Sequence, residues 1–188
     1  MSKPDDARAL RSRQALRAAL LELLADHPLH EITIRDITAR AGLSYPVFFR
    51  RYGSKEELLA EVAEEEVRGL MAQTYPVLEG QGPEAGLTEV CNYIRARKAL
   101  WKSLLTTGAA PTMRAEFARL SAQYGTNGPR ANPWLPVSLA SAFVSAAMFE
   151  VLVWWMEQAD DYPTDNVIAF LRHLVVQPTM TQHEIKLV

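Results

Sequence analysis

The stretch from Thr33 to Leu59, TIRDITARAGLSYPVFFRRYGSKEELL, decides the fold of this 188-residue chain. Thr33 is followed three residues later by Asp36, a spacing close to a capping box, so a helix is expected to begin here. Apolar residues then recur at helical spacing up to Ala41, which predicts one buried face. Gly42 stands where this helix must stop, because glycine adopts the left-handed conformation of a helix end without steric cost.

Two further helix starts follow Gly42. Ser44 can cap the first of them, and Pro46 is tolerated there because first-turn amides have no helical partner. Ser54 and Glu57 have the S-x-x-E spacing of a full capping box at the second start. We expect three side chains after Gly42 to pack inward: Leu43, Phe48 and Tyr52. Two short helices joined by a glycine turn indicate a helix-turn-helix, whose second helix enters the major groove of DNA.

This segment resembles the DNA-binding region of the TetR family of bacterial transcriptional regulators over roughly residues 10 to 60. The matching residues are Thr33, Arg35, Ile37, Ala41, Gly42, Ser44, Phe48, Phe49, Tyr52, Ser54, Lys55, Glu57 and Leu58. The resemblance implies a dimer that binds operator DNA, usually represses transcription, and releases DNA when a small molecule enters the C-terminal domain. Two positions depart from the family pattern. Phe49 replaces a tyrosine that donates to phosphate, and Thr38 replaces an alanine on a packed helix.

We expect DNA contacts at the following positions: Thr33, Arg35, Ser44, Tyr45, Pro46, Val47, Phe49, Arg50, Arg51 and Lys55. By the resemblance, positions 45, 46 and 47 face bases, whereas positions 33, 35, 49, 51 and 55 meet phosphates or nearby base edges. Arg50 and Arg51 lie late in the predicted recognition helix, which favours phosphate contact by at least one of them. Two interpretations stay open for the arginines of the first helix, a solubilising face or contact with phosphate or minor groove. These arginines are Arg8, Arg11, Arg13 and Arg17.

The distribution of charge agrees with a nucleic-acid partner at one end of the chain. The net charge is −2, but residues 1–55 hold ten Lys and Arg against six Asp and Glu. Residues 56–188 hold ten Lys and Arg against sixteen Asp and Glu. A basic head attracts phosphate, and an acidic body discourages non-specific wrapping by nucleic acid.

The hydrophobic pattern predicts an all-α protein of about nine helices, since no stretch has the long alternation of a strand. An N-terminal three-helix helix-turn-helix domain, residues 1–54, is followed by a C-terminal helical bundle for ligand sensing and dimerisation, residues 55–188. The helix from residue 55 connects the two. Beyond the motif, helices are expected over residues 5–25, 55–75, 84–97, 101–105, 112–124, 137–158 and 165–176. Pro76 and Pro178 are expected to end two of them, and Thr164 to cap the last.

Large apolar side chains of the C-terminal part could form the walls of an effector pocket, although most residues of this kind are simply core. The apolar candidates are Tyr93, Trp101, Tyr124, Met148, Trp154 and Trp155, and the carboxylate Glu150 is a further candidate. Glu150 lies within an apolar helix, and a buried carboxylate needs a partner. An arginine such as Arg95, Arg97 or Arg114 is the favoured partner, and a cationic or hydrogen-bonding ligand is the alternative.

The helix predicted from Val137 is apolar on nearly every face, so it must be covered all round. It is near the lower length limit for crossing a membrane, but Ser141, Ser145 and Glu150 interrupt it. We therefore expect a second copy of the chain to cover it, as the last two helices do in the resembling family. The predicted dimer interface consists of Ser141, Ala142, Ser145, Phe149, Leu152, Leu171, Leu174 and Val175.

Other classes of function have weaker support. No phosphate-binding glycine loop, nucleophile elbow, metal-spaced histidines or cofactor lysine motif is found, so we predict neither an enzyme nor a metal or cofactor site. The acidic run Glu61, Glu64, Glu65 and Glu66 is interpreted as a solvated face. Cys91 is interpreted as a small packed hydrophobe. The polar N-terminus lacks a signal-peptide core, so a cytoplasmic protein is expected.

The sequence thus predicts a ligand-responsive, sequence-specific DNA-binding regulator, most often a repressor. Its partners are operator DNA, a second copy and a small apolar effector, without a membrane. The alternatives are a helical DNA-binding protein that is not regulated or, from another class, an all-α enzyme or carrier.

Overall fold

Helices form nearly all of the computed structural model, which describes residues 4–106, 108–125, 132–180 and 182. The helices are α1 Pro4–Asp26, α2 Ile34–Arg40, α3 Tyr45–Phe49, α4 Lys55–Gln81, α5 Pro83–Arg95, α6 Lys98–Thr106, α7 Ala110–Gly125, α8 Val137–Glu157, α9 Thr164–Leu171 and α10 Gln177–Met180. A π-helical turn, Arg172–Val176, joins α9 to α10 without a break. With that terminal helix counted once, the described residues form nine helices and no strand, so the predicted all-α class is confirmed.

Helix α4 is longer than predicted, because Pro76 lies inside it and does not end it. Proline removes one backbone hydrogen bond, here the one to the carbonyl of Ala72. Both Pro76 and Ala72 lie on the exposed face, where water can solvate that carbonyl. On the opposite side the last turn is held by Leu78, which packs closely on Gly86 of α5. The helix ends instead at Gly82, whose φ of 90° only glycine adopts readily.

The terminal helix also differs from its prediction at both ends. Thr164 is the first residue of α9 and Pro163 precedes it as the cap, without a side-chain capping bond. Pro178 does not end the helix, which continues to Met180. The π-helical turn shifts the hydrogen-bond register immediately before α10, so that Pro178 lies in a first turn, where a missing N–H is tolerated.

One hydrophobic core extends from the N-terminal helices into the bundle. In the N-terminal part, Leu16 and Leu20 of α1 pack with Phe48 of α3 and Leu58 of α4, all fully buried. Helix α4 has 27 residues, so it is about 40 Å long, and it packs against α1, α5 and α7. It is therefore one of the elements that join the N-terminal helices to the bundle, and α1 also packs directly against α6.

Candidate nucleic-acid interface

The turn between α2 and α3 has the geometry that the sequence predicts. The Oγ1 of Thr33 accepts from the backbone N–H of Asp36 at 3.2 Å, and the Asp36 carboxylate accepts from the Thr33 N–H at 2.8 Å. This capping box is confirmed, and its hydrogen bonds hold the pKa of Asp36 below the usual range. At the other end Gly42 has φ 64°, and Leu43 N–H donates to the Thr38 carbonyl at 2.9 Å. The backbone thus reverses in a Schellman motif, which fixes where α3 begins.

Two of the capping hydrogen bonds predicted around this turn are absent. Ser44 occupies the N-cap of α3, but its side chain makes no capping hydrogen bond. Ser54 caps α4, but the Glu57 carboxylate accepts from the Gly53 N–H at 2.6 Å and not from the Ser54 N–H, so only half of the capping box is present. Thr38 is buried, and its hydroxyl is satisfied by donation to the carbonyls of Ile34 and Arg35. A polar group on this packed helix therefore remains paired.

Helix α3 presents an apolar outer face. Tyr45 and Phe49 are 46% and 48% exposed, although both are large aromatic residues. Their ring centroids are 5.1 Å apart in an edge-to-face arrangement, and Phe49 also contacts the buried ring of Phe48 at 5.5 Å. Pro46 is exposed beside them, and Val47 is partly buried. We call Tyr45, Pro46 and Phe49 the α3 patch.

The arginines of the N-terminal helices fall into two groups. Arg13 and Arg17 of α1 and Arg40 of α2 form ion pairs with carboxylates of the chain. By contrast, the three arginines predicted to contact DNA are exposed and have no carboxylate partner among the described residues: Arg35, Arg50 and Arg51. Unpaired guanidinium groups are the ones that remain available for a phosphate backbone.

Arg13 and Arg17 lie in a polar seam between α1 and α4. The Glu61 carboxylate accepts from Arg13 Nε at 2.7 Å and from the Tyr52 hydroxyl at 3.0 Å. Arg17 pairs with Glu65. For Arg13 and Arg17, these contacts favour an internal role over phosphate contact. Arg8 and Arg11 make no ion pair within the described part of the chain.

The seam shifts the pKa values of its members. Burial alone would raise the pKa of Glu61, but hydrogen bonds from Arg13 and Tyr52 outweigh it and hold the pKa below its usual range. Burial, together with the nearby charge of Glu61, raises the pKa of Tyr52 to about 12. Both groups therefore keep their ordinary ionisation at neutral pH.

The acidic run of α4 is not the simple solvated face that the sequence predicts. Glu61 and Glu65 belong to the seam, Glu64 pairs with Arg68, and Glu66 accepts from the Tyr93 hydroxyl at 3.4 Å. Across 4–106, 108–125, 132–180 and 182, no group of three or more His, Cys, Asp or Glu side chains could hold a metal ion. Three of these glutamates therefore link α4 to neighbouring elements through ion pairs and hydrogen bonds, and Glu64 pairs within α4.

Lys55 has a structural role that the sequence did not indicate. Its ammonium donates to the backbone carbonyls of Leu29 and Ile32, each at 2.7 Å. These bonds fix the start of α4 to the loop between α1 and α2. The predicted phosphate contact of Lys55 therefore competes with two hydrogen bonds that the chain already makes.

A second polar link joins α4 to the bundle. The Glu116 carboxylate of α7 is buried and accepts from Arg68 of α4 at 2.9 Å and from Arg119 at 2.7 Å. The hydrogen bonds from Arg119, helped by Arg68, hold the pKa of Glu116 below its usual range. Sequence spacing indicates the Glu116–Arg119 pair at i,i+3, but not the partner 48 residues away.

Most of the predicted effector residues lie in the core. Tyr93, Trp101, Met148 and Trp155 are buried, and the rings of Tyr93 and Trp101 meet edge to face at 6.4 Å. The indole N–H of Trp101 is buried without a hydrogen-bond partner among the described residues. Trp155 alone of these four lines a cavity of about 260 Å³, whose other walls are Arg95, Lys98, Asp160, Asp161, Tyr162, Pro163 and Thr164.

The other effector candidates differ from this group. Glu150 is not buried as predicted, because its side chain is 69% exposed, and it pairs with Arg114 at 2.8 Å. Arg114 was one of the expected partners, so the internal pairing is confirmed. Trp154 is partly exposed and packs against Tyr162 and Phe170. The side chain of Tyr124 lies outside the described residues. Cys91 is buried, and burial raises its pKa to about 12, as expected for a packed thiol.

Five of the predicted dimer residues are buried within the chain itself: Ser145, Phe149, Leu152, Leu171 and Val175. They cannot form an interface, because the sequence stripe assigned to a partner packs on the chain's own core. Ser141 is partly buried, whereas Ala142 and Leu174 are exposed. The exposed apolar face lies on another side of α8 and continues onto the terminal helix, and sequence reasoning missed most of it. We call this face the α8–α9 patch, and it consists of Leu139, Phe143, Trp154, Phe170 and Leu174.

Helix α8 is long and apolar enough to cross a membrane by length and composition alone, with a mean hydropathy of 1.8. The chain buries 22% of that helical window. Glu150, paired with Arg114, lies on its exposed side near the middle of the helix. A charged pair at that place fits a protein or water environment better than hydrocarbon.

The N-terminal segment matches a known family. Residues 16–62 match the sequence profile of bacterial regulatory proteins, tetR family. The HTH-type transcriptional regulator YxbF of Bacillus subtilis is 41% identical over 58 residues. That alignment covers 30% of this chain and 15% of YxbF, so the chain spans a small part of that relative.

Solved structures of TetR-family regulators share the fold over most of this chain. A TetR transcriptional regulator from Streptococcus agalactiae 2603V superimposes with a TM-score of 0.63 at 19% identity, over 91% of this chain and 97% of that one. FadR of Thermus thermophilus, a TetR-family repressor in complex with lauroyl-CoA, superimposes with a TM-score of 0.58 at 16% identity. The alignment covers 94% of this chain and 98% of FadR. At such identities the likeness concerns the fold. Together with the profile match over residues 16–62, it leads to one conclusion: the chain carries a helix-turn-helix segment similar to the tetR family, within a fold shared with TetR-family regulators.

Proposed function

We propose that this protein is a homodimeric regulator of transcription that binds an operator in double-stranded DNA and releases it when an effector binds. The observation that carries the proposal is the α3 surface. A short helix that begins at the Gly42 turn exposes an aromatic patch. Arg50 and Arg51 directly after it and Arg35 of the preceding helix have no carboxylate partners among the described residues. Apolar groups for base edges and free cations for phosphates are the two parts of a DNA-reading surface.

The proposed DNA contacts follow from exposure and pairing. Tyr45, Pro46, Val47 and Phe49 face bases, and Arg35, Arg50 and Arg51 meet phosphates. Ser44 supplies a hydroxyl that is not used for capping. Thr33 and Lys55 contribute through their helix cap and loop bonds, which hold the surface in shape.

The α8–α9 patch supports the proposal of a dimer. Leu139, Phe143 and Leu174 are each about half exposed, and α8 is mostly uncovered by its own chain. Exposure of these apolar side chains to water is unfavourable. Burying the same face of two copies against each other removes that apolar surface from water. Two copies joined there would present two α3 surfaces to successive faces of a pseudo-palindromic operator.

The effector is proposed to enter the bundle near Trp101. A buried indole donor without an acceptor costs free energy, which a ligand oxygen could recover. Tyr93 and Trp101 supply aromatic walls, and Tyr93 contacts α4 through Glu66. FadR in complex with lauroyl-CoA gives a precedent for a ligand in a protein of this fold. Release requires that the effector binds the DNA-free arrangement of α4 more tightly than the operator-bound one.

A regulator of this kind acts in the cytoplasm, in contact with the chromosome, and needs no membrane. Repression is the more frequent sign of regulation in the family. A helical DNA-binding protein without an effector remains distinguishable by experiment, as does an enzyme or carrier.

Selection of bound sequences from random duplex DNA tests the proposal. The purified full chain is expected to enrich a pseudo-palindrome, with binding that weakens steeply as salt increases. Repeating the selection with fractionated metabolite pools should identify a fraction that releases the duplex. A chain that enriches no sequence at moderate ionic strength would contradict the DNA-binding proposal. Enrichment that no metabolite fraction reverses would leave a DNA-binding protein without the proposed effector.

A further inference from the structure

The α3 patch carries information about which bases it meets. Its exposed side chains offer carbon surface almost throughout, since the Tyr45 hydroxyl is the one polar side-chain group in Tyr45, Pro46 and Phe49. Helix α3 contains no Arg, Lys, Asn or Gln, the residue types that read guanine or adenine by paired hydrogen bonds. The nearest free guanidinium groups, Arg50 and Arg51, follow the helix.

The aromatic pair is also held in place. Tyr45 and Phe49 are one helical turn apart and contact each other at 5.1 Å between ring centroids. Phe49 rests on Phe48, which is fully buried and in turn packs against Tyr52 at 5.7 Å. The two half-exposed rings are held in place by the buried residues beneath them. They form an apolar step, a rigid surface that does not have to become ordered when a ligand binds, so binding does not incur that entropy cost.

In the major groove, the thymine C5-methyl group is the apolar feature that a base pair can present to such a step. The unpaired arginines around the patch match the charge of a duplex, which commits the patch to DNA and not to an apolar protein partner. We infer that Tyr45 and Phe49 read thymine methyl groups in each operator half-site and make thymine at those positions a determinant of specificity. This inference rests on the proposed function and concerns the chemistry of the same surface.

Phe49 is the sharper of the two assignments. A tyrosine at this position would direct a hydroxyl to phosphate, whereas phenylalanine leaves a ring whose exposed edge is entirely apolar. The ring is oriented by its contacts with Tyr45 and Phe48, so it shares the outer face of Tyr45. A phenylalanine ring on that face can pack against methyl groups of bases, but it cannot donate a hydrogen bond to phosphate.

Replacement of single thymines by deoxyuridine in the selected operator tests the inference, because it removes one methyl group and keeps every base-pair hydrogen bond. We expect one or two positions per half-site at which the substitution weakens wild-type binding by roughly fourfold, the effect of burying one methyl group. The Phe49→Ala and Tyr45→Ala variants should each lose that sensitivity at one position. Deoxyuridine placed outside the half-sites is the matched control on the DNA and should leave affinity unchanged.

The outcomes separate the two proposals. A wild-type chain that binds its operator but is indifferent to deoxyuridine at every half-site position would overturn the inference and leave the proposed function standing. A selected half-site without thymine, or alanine variants that keep full sensitivity to the missing methyl group, would overturn it as well. Failure to bind any duplex would overturn the proposed function, and the inference with it. The deoxyuridine series on the wild-type chain decides the inference even where a variant folds poorly.

Discussion

Two patches of this molecule expose large apolar side chains to a similar degree, but charges surround them differently. Arg50 and Arg51 directly follow the α3 patch and Arg35 lies on the preceding helix, and none of the three has a carboxylate partner within the described ranges. On the helices of the α8–α9 patch, two charged residues are paired within the chain, Glu150 with Arg114 and Arg172 with Glu84. Exposed apolar area alone therefore does not identify a partner. The neighbouring charges indicate whether the partner of an apolar patch is a polyanion or an uncharged protein surface.

The same contrast divides the arginines of the N-terminal helices. Arg13 and Arg17 belong to α1 and are held by acidic residues of α4, whereas Arg50 and Arg51 reach solvent freely. From the sequence, the role of Arg13 and Arg17 stays open between a solubilising face and contact with DNA. Pairing in the tertiary structure separates a structural seam from a surface that can bind phosphate.

The largest effect is expected from charge placed on the α8–α9 patch. The double substitution Phe143→Glu and Leu174→Glu should convert a dimer into a monomer, because two copies would bury four carboxylates without partners. Affinity for a full operator should fall by at least roughly a hundredfold, since each half-site would then be bound separately. Sedimentation velocity and operator titration measure the two effects.

The matched control for this variant is Ala96→Glu, which adds a carboxylate at an exposed position between α5 and α6. It should leave both the dimer and the affinity unchanged. If the double variant sediments as a dimer at micromolar concentration, the α8–α9 patch is not the interface.

A smaller effect is expected at Arg51. The Arg51→Ala variant should weaken operator binding by roughly fivefold to tenfold and reduce the slope of log affinity against log salt by about 1, as loss of one phosphate contact does. Arg13→Ala should leave the slope unchanged, because its guanidinium is already paired with Glu61. Titrations at four or more salt concentrations measure the slopes. Equal slopes for Arg51→Ala and wild type would remove the distinction between free and paired arginines.

The smallest effect is expected in the seam itself. The Glu61→Gln variant should lose about 1 kcal/mol in its free energy of unfolding at neutral pH, a modest figure because Arg13 is half exposed. The pKa of Glu61 is lowered in the folded state, so its contribution is present above the ordinary glutamate pKa of about 4.3. That contribution is lost as the pH falls from there through the lower folded pKa.

Urea unfolding between pH 7 and pH 3 measures this dependence. The difference between wild type and Glu61→Gln should shrink as the medium becomes more acidic. Glu79→Gln is the control, because Glu79 is exposed on the same helix and forms no ion pair with the described residues. A difference that stays constant across this range would show that Glu61 acts through packing and not through its charge.

Local chemistry explains why much of the fold could be predicted. The capping box at Thr33, the turn at Gly42 and the helical class depend on residues within a few positions of one another. The errors lie where distant residues intervene. Pro76 fails to end α4 because Leu78 packs on α5, and Glu150 is exposed because the rotation of α8 is set by the core.

The candidate surfaces divide in the same way. Sequence located α3, the helix proposed to read DNA, because that helix is short and flanked by turn residues that fix its face. It chose a wrong stripe for the dimer, since α8 is apolar on nearly every side and periodicity cannot rank equally apolar faces. Phe149 and Leu152 entered the core, whereas Leu139 and Phe143 remained outside.

By itself the sequence determined the helical class, the helix-turn-helix and the excess of basic residues at one end, because caps, turn glycines and charges act locally or additively. The tertiary structure decided which arginines are free, which apolar face is exposed, and which polar groups join α4 to its neighbours. Those properties depend on pairs such as Arg13–Glu61 and Arg68–Glu116, each 48 positions apart, and such contacts are set only when the helices pack.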